Sequence, residues 1–157
     1  RVVVEKVDLL LYTSQLRKAE TALKGILQDT SSYECQNLMN LLKLLMVQVA
    51  LNKKDNIPYL LSLFETESMY FNPGENTPDN RSTLAYLQGD IIAFEKEPAD
   101  NQPMKRFLVL RELEQSLGER TNPEKKNTVI SGYTALAGRE HWISGLARAR
   151  LRKLGVR

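Results

Sequence analysis

The sequence predicts an all-α domain of about eight helices, paired as four antiparallel hairpins. Three observations lead there. Apolar residues recur at steps of three and four through most of the chain, the spacing of one helix face. The string Asp-Asn-x-Pro occurs twice, at Asp55–Pro58 and Asp100–Pro103, 45 residues apart and each time ahead of such a stripe. Asn suits an N-cap, and proline in a first turn loses only an N–H that had no partner. A helix-start device recurring at an interval marks a repeated unit, and stacked helical hairpins are a common form of it.

The elements follow in order. Val2, Val3, Val4 and Val7 lead into Leu9, Leu10 and Leu11; Glu5, Lys6 and Asp8 break the alternation a strand needs, so residues 2–13 are expected to be helical. Thr13 and Ser14 offer an N-cap, and Leu16, Ala19, Leu23 and Ile26 form the face of a second helix ending near Asp29. Ser31-Ser32-Tyr33-Glu34 reads as a capping box opening a third helix that reaches about Asn52. That helix is apolar on several sides, as a helix sandwiched between neighbours would be. A fourth helix starts at the first Asp-Asn-x-Pro, carries Leu60, Leu61, Leu63 and Phe64, and fades near Tyr70. Residues 72–82, with two prolines, a glycine and three asparagines, read as a surface loop.

Helix five holds Leu84, Leu87, Ile91 and Phe94 and stops before Pro98. Helix six holds Met104, Phe107, Leu108, Leu110, Leu113 and Leu117, with Gly118 as C-cap. Asn122-Pro123-Glu124 opens helix seven, which Gly138 breaks. Helix eight holds Trp142, Ile143, Leu146, Ala149 and Leu154. Turns within hairpins fall near Ser14, Lys54, Ala99 and Gly138, giving spacings of roughly 40, 45 and 39 residues.

Composition sets bounds on function. A chain of 157 residues fits one domain, residues 1–157, and buries roughly 70% of its unfolded surface. Hydrophobic content of 42% and charged content of 26% exclude global disorder. Arg1 stands where an initiator Met would be, so a fragment of a longer protein is expected. The longest apolar run, Leu38 to Leu51, is interrupted by Asn40, Lys43 and Gln48 and is too short to span a bilayer, so no membrane partner is expected. Cys35 is the only cysteine, which suits a reducing, cytoplasmic setting and a buried structural thiol. Asn80-Arg81-Ser82 matches a glycosylation sequon.

Two-helix units of this kind resemble the tetratricopeptide repeat family. Leu16, Ala19 and Leu23 fall where that family places a large, a small and a large residue in its second helix. Leu84-Ala85-Tyr86-Leu87-Gln88-Gly89 is similar to the first-helix signature, with Gly89 in the small-residue slot. The units here are longer than the family's 34 residues, and Pro58 stands where a small residue is the rule. The resemblance implies a short right-handed superhelix whose groove binds peptides or partner helices. Similar irregular repeats also serve as regulatory domains of transcription activators.

The chain is poor in catalytic patterns. His141 is the only histidine, so with Cys35 alone no usual Cys/His zinc site can form, and no metal or cofactor is expected. A nucleophile–base pair would need His141, which is read as a structural or surface residue. Glu65/Glu67 and Glu112/Glu114 stand two apart and point away from each other on a helix. No phosphate-binding glycine motif occurs.

Binding surfaces are easier to name. The first helix of each hairpin commonly lines the inner face, which selects Asn37, Asn40 and Gln48 on helix three and Tyr86 and Asp90 on helix five as partner-binding candidates. Residues 139–157 hold six basic groups and one acid, a net of +5 within a chain of net +3. Arg139, Arg148, Arg152 and Lys153 are the candidate basic patch, although the macrodipole favours cations near a helix C-terminus without any ligand. The expected role is a non-enzymatic protein- or peptide-binding module, as an adaptor, chaperone or regulatory domain. The alternative is a regulatory or oligomerisation domain of a transcription factor that contacts nucleic acid through the basic C-terminal helix.

Overall fold

A computed structural model describes residues 2–96, 100–118 and 122–156. Among them the fold is all-α: nine α-helices, two short 3-10 turns and no strand. The helices are α1 (Val2–Tyr12), α2 (Leu16–Gln28), α3 (Leu38–Ala50), α4 (Ile57–Thr66), α5 (Pro78–Gln88), α6 (Ile91–Glu95), α7 (Pro103–Gln115), α8 (Pro123–Ala137) and α9 (Ile143–Lys153). No helix among the described residues is long and apolar enough to cross a membrane. The turn expected near Ala99 lies outside the described residues.

The core is organised around α3. All thirteen of its residues are buried, including Asn40, Lys43 and Gln48. It packs against α2, α4, α5, α7 and α9, the sandwiching its all-round apolar pattern predicts. α1 packs on α2 and α9, α8 on α7 and α9, and α6 mainly on α5. The contact between α1 and α9 brings the first and last helices together, a closure that the expected stack of hairpins in a superhelix does not include.

That closure has an atomic cause. Gly145 of α9 lies against the end of α1, so close that a Cβ there would sit 1.7 Å from the Leu11 carbonyl oxygen. Ser14, held at φ 61°, donates its hydroxyl to the Gly145 carbonyl at 2.7 Å. Arg148 donates to the Tyr12 and Ala137 carbonyls and lies 4.9 Å from the Tyr12 ring centroid.

Several local expectations change. Ser32, not Ser31, is the capping hydroxyl, and it opens only the 3-10 turn Tyr33–Gln36 by accepting from Glu34 N. α3 starts later, capped by Asn37, whose side chain accepts from Met39 N at 2.8 Å. Cys35 is therefore partly exposed in that turn, not buried in a helix. The loop ends early because Pro78 occupies the first turn of α5 and Thr77 caps it. Gly89 terminates α5 in the left-handed conformation, φ 72°, so expected helix five divides into α5 and α6. α7 ends at Gln115, with Ser116 and not Gly118 as its C-cap.

Neither Asp-Asn-x-Pro string caps through its Asn. Both prolines sit in a first turn, but Asn56 turns its amide to the Gln48 Oε1 at 2.9 Å. The cap of α7 comes from elsewhere in the sequence: Asp79 accepts from Met104 N and Lys105 N, both at 3.0 Å.

Candidate functional site

The segments that meet at the start of α7 enclose a cavity of about 730 Å³. Its walls come from α3, the turn before α5, the first turn of α5, the start of α7 and the turn between α8 and α9. Met39 and Met104 are buried and give it an apolar floor, with Trp142 half-buried beside them. Thr77 and Asn80 are committed to the turn: Thr77 caps α5, and Asn80 donates its amide to the Glu75 carbonyl. Asn80 is thus buried, and the sequon it belongs to is closed to a glycan.

The α8–α9 turn carries most of the polar character. His141 Nδ1 accepts the Ile143 N–H at 3.0 Å, fixing the ring at the start of α9. Burial pushes the imidazole down to about 4, and the nearby Arg139 and Lys43 charges push the same way against the opposing pull of Asp8. The ring is therefore neutral near pH 7, and its Nε2 carries the proton as a donor. Trp142 lies beside it with ring centroids 4.9 Å apart. Lys43 is buried, pairs with Asp8 at 2.7 Å and lies 6.0 Å from the Trp142 ring centroid. Arg139 is exposed. In the same cavity, burial pushes Asp79 above the usual carboxylate range, more than its two amide partners and the charges of Arg139 and Lys105 pull it down.

The His141 shift has a measurable consequence. In the unfolded chain the ring titrates near 6.5, in the folded chain near 4. As pH falls through that interval the unfolded state gains a proton that the folded state refuses, so stability present above pH 6.5 is lost toward 4. Urea denaturation should show a loss of about 1 kcal/mol between pH 6.5 and about 5, after discounting for partial exposure. His141→Asn, which keeps an acceptor for Ile143 N, should remove that slope. Asp79 works with the opposite sign and is common to both proteins, so their difference isolates the imidazole. A wild-type curve as flat as the variant's over this interval would rule out a buried neutral His141.

The expected partner-binding residues separate into two groups. Asn37, Asn40 and Gln48 are buried and internally bonded, which removes them from any exposed groove. Asn37 caps α3 and donates to Glu75 at 3.3 Å. Asn40 donates to the Glu34 carbonyl at 3.0 Å. Gln48 donates to Glu20 at 2.7 Å, and Lys53 completes that cluster. Tyr86 and Asp90 do come together, lining a second cavity of about 400 Å³ with Phe94 and Glu112. Tyr86 donates its hydroxyl to Glu112 at 3.1 Å, and Asp90 caps the short α6. Ile91 and Ile92, 67% and 85% exposed, stand beside it.

The basic patch divides in the same way. Arg148 is engaged at the α1–α9 contact, and Arg150 pairs with Glu114. Arg139, Arg152 and Lys153 remain exposed. The cavity itself was not legible beforehand. Of its polar wall only Arg139 had been selected, because Lys43 and Trp142 meet only in three dimensions.

No family model matches the chain, and no curated protein or solved structure matches it either.

Proposed function

We propose that the chain is a non-enzymatic protein- or peptide-binding module and that the 730 Å³ cleft receives the partner. One observation carries this: an apolar floor, Met39, Met104 and Trp142, stands next to polar groups that the fold leaves uncommitted. Binding sites commonly combine those two elements, burial for affinity and a few placed polar groups for orientation. Peptide backbones also suit a cleft lined both by donors, Arg139 and Trp142, and by the exposed carboxylate of Asp100.

The same lining speaks for binding over catalysis. Neither serine nor cysteine lines the cavity, and the Nδ1 of its histidine is spent on the backbone. The exposed isoleucines of α6 add an apolar surface that a protein partner could cover. The nucleic-acid alternative has less support, because Arg148 and Arg150 are consumed by internal contacts and leave a thin cationic surface.

Selection from a random peptide library on the immobilised chain tests the proposal. Trp142 is the only tryptophan and lines the cleft, so its emission reports occupancy. Selected peptides should bind with Kd near ~10 μM, about 7 kcal/mol, and shift that emission. A library yielding no binder tighter than about 1 mM would overturn the reading. Binders that leave Trp142 unchanged would place recognition elsewhere.

A further inference from the structure

We propose that the cleft recognises a carboxylate, and that its ligand is a peptide presenting a free C-terminus to the wall formed by Arg139, His141, Trp142 and Lys43. This rests on the peptide-binding reading and specifies what the cleft reads.

The donors on that wall carry the inference. The Arg139 guanidinium makes no hydrogen bond or ion pair among the described residues, although its charge acts on Asp79 and His141. The indole N–H of Trp142 has no hydrogen-bonding partner there either. The neutral His141 ring, its Nδ1 occupied, turns its remaining nitrogen into an N–H donor. Lys43 is ion-paired with Asp8 at 2.7 Å, a contact without hydrogen-bond geometry. Arg139 and Lys43 both act electrostatically on His141, so the four groups form one neighbourhood with the imidazole inside it. All four line the cavity and carry N–H donors, and two are positively charged, Lys43 being paired with Asp8. An arginine beside neutral N–H donors matches the two in-plane oxygens of a carboxylate.

The acids of the same cavity decide between anions. Glu75, Asp79 and Asp100 line the same cavity. Glu75 is occupied by Asn72 N at 2.9 Å, and Asp79 by two amides of α7, while Asp100 is exposed. Three acids against two bases disfavour a doubly charged phosphate and any polyanion. A singly charged carboxylate followed by backbone N–H groups suits this lining: its oxygens match the donors and its amides the exposed Asp100. The floor of Met39 and Met104 would take an apolar side chain near that terminus.

The experiment compares matched random tetrapeptide libraries with free-acid and amidated C-termini, read by Trp142 emission, on the full chain and on Arg139→Met. Arg139 is exposed, so the variant should fold as the wild type does. The free-acid peptides should bind at least ~10-fold more tightly than their amides, a difference of about 1.4 kcal/mol. Arg139→Met should abolish the difference by weakening the free acids toward the affinity of their amides. Equal binding of acid and amide would overturn the carboxylate inference while leaving peptide binding standing. If neither library binds, both fall. N-acetyl-leucine binding as tightly as the best free-acid peptide would keep the carboxylate site and overturn the peptide as its source.

Discussion

Gly145→Ala should destabilise the protein by ~3 kcal/mol and lower its Tm by roughly 6–12 °C. A helical Gly→Ala change ordinarily helps, by about 0.8–1 kcal/mol. Here the added methyl meets backbone: the Leu11 oxygen at 1.7 Å, the Leu11 carbonyl carbon and the Tyr12 oxygen at 2.7 Å. Backbone at the end of α1 cannot swing aside as a side chain would. α1 must move away from α9, and the Ser14 and Arg148 bonds across the contact go with it. Gly25→Ala is the control. Gly25 lies in α2 with nothing within 4 Å of the added carbon, so that variant should be slightly more stable. Thermal and urea melts of both variants check the pair. If Gly145→Ala melts at or above the wild type, the close contact does not hold the first and last helices together.

Glu114→Ala should cost ~3–5 kcal/mol, the loss expected when one member of a buried ion pair is removed. Glu114 is the centre of a cluster joining four helices. Arg111 of α7 reaches it at 2.8 Å, Tyr133 of α8 at 2.7 Å, and Arg150 of α9 through both Nε and Nη2. The arginines also donate to carbonyls at the end of α3, Arg111 to Val49 at 3.2 Å and Arg150 to Ala50 at 3.1 Å. Arg111 is 2% exposed, so without Glu114 a full positive charge stays inside with no counter-ion. Burial raises the Glu114 carboxyl, but Arg150, Tyr133 and Arg111 together outweigh it and hold the group below the usual range of 4.5. The sign follows: this stabilisation is present above about pH 4.5 and is lost as pH falls through the folded value, starting at the lower end of the interval governed by His141. The extrapolated unfolding free energy of Glu114→Ala at pH 7 is the measurement, with Arg111→Met/Glu114→Leu beside it. That double variant should recover part of the loss, because it removes charge on both sides. A single variant within about 1 kcal/mol of the wild type would show the cluster to be solvated.

The helices were legible where a single face repeats. Leu16, Ala19, Leu23 and Ile26 of α2 are all buried, as their spacing requires. α3 was legible as an enclosed helix because it lacks a polar face. What a helical wheel cannot show is that the few polar side chains of an enclosed helix also point inward. Asn40 and Gln48 look like a groove on a wheel, yet Glu34, Glu20 and Asn56 meet them inside the protein. Arg111 was invisible for the same reason, since its charge is tolerated only through an acid that also holds Arg150 of α9. Asp79 fell in a stretch read as loop, and its service as the cap of α7 has no local signature at all. The candidate cleft depends on Met39, Asp79 and Trp142 converging from distant positions, which composition and periodicity cannot encode.

The meeting of α1 with α9 also bears on how the chain is made. Ser14 and its partner Gly145 are 131 residues apart. At roughly 5–20 residues per second, ribosomal synthesis separates their appearance by about 7–26 seconds. α1 can settle on α2 at once, but the surface that receives Gly145 has no cover until α9 emerges. The face of α1 that receives Gly145 is thus covered later than the face that packs on α2.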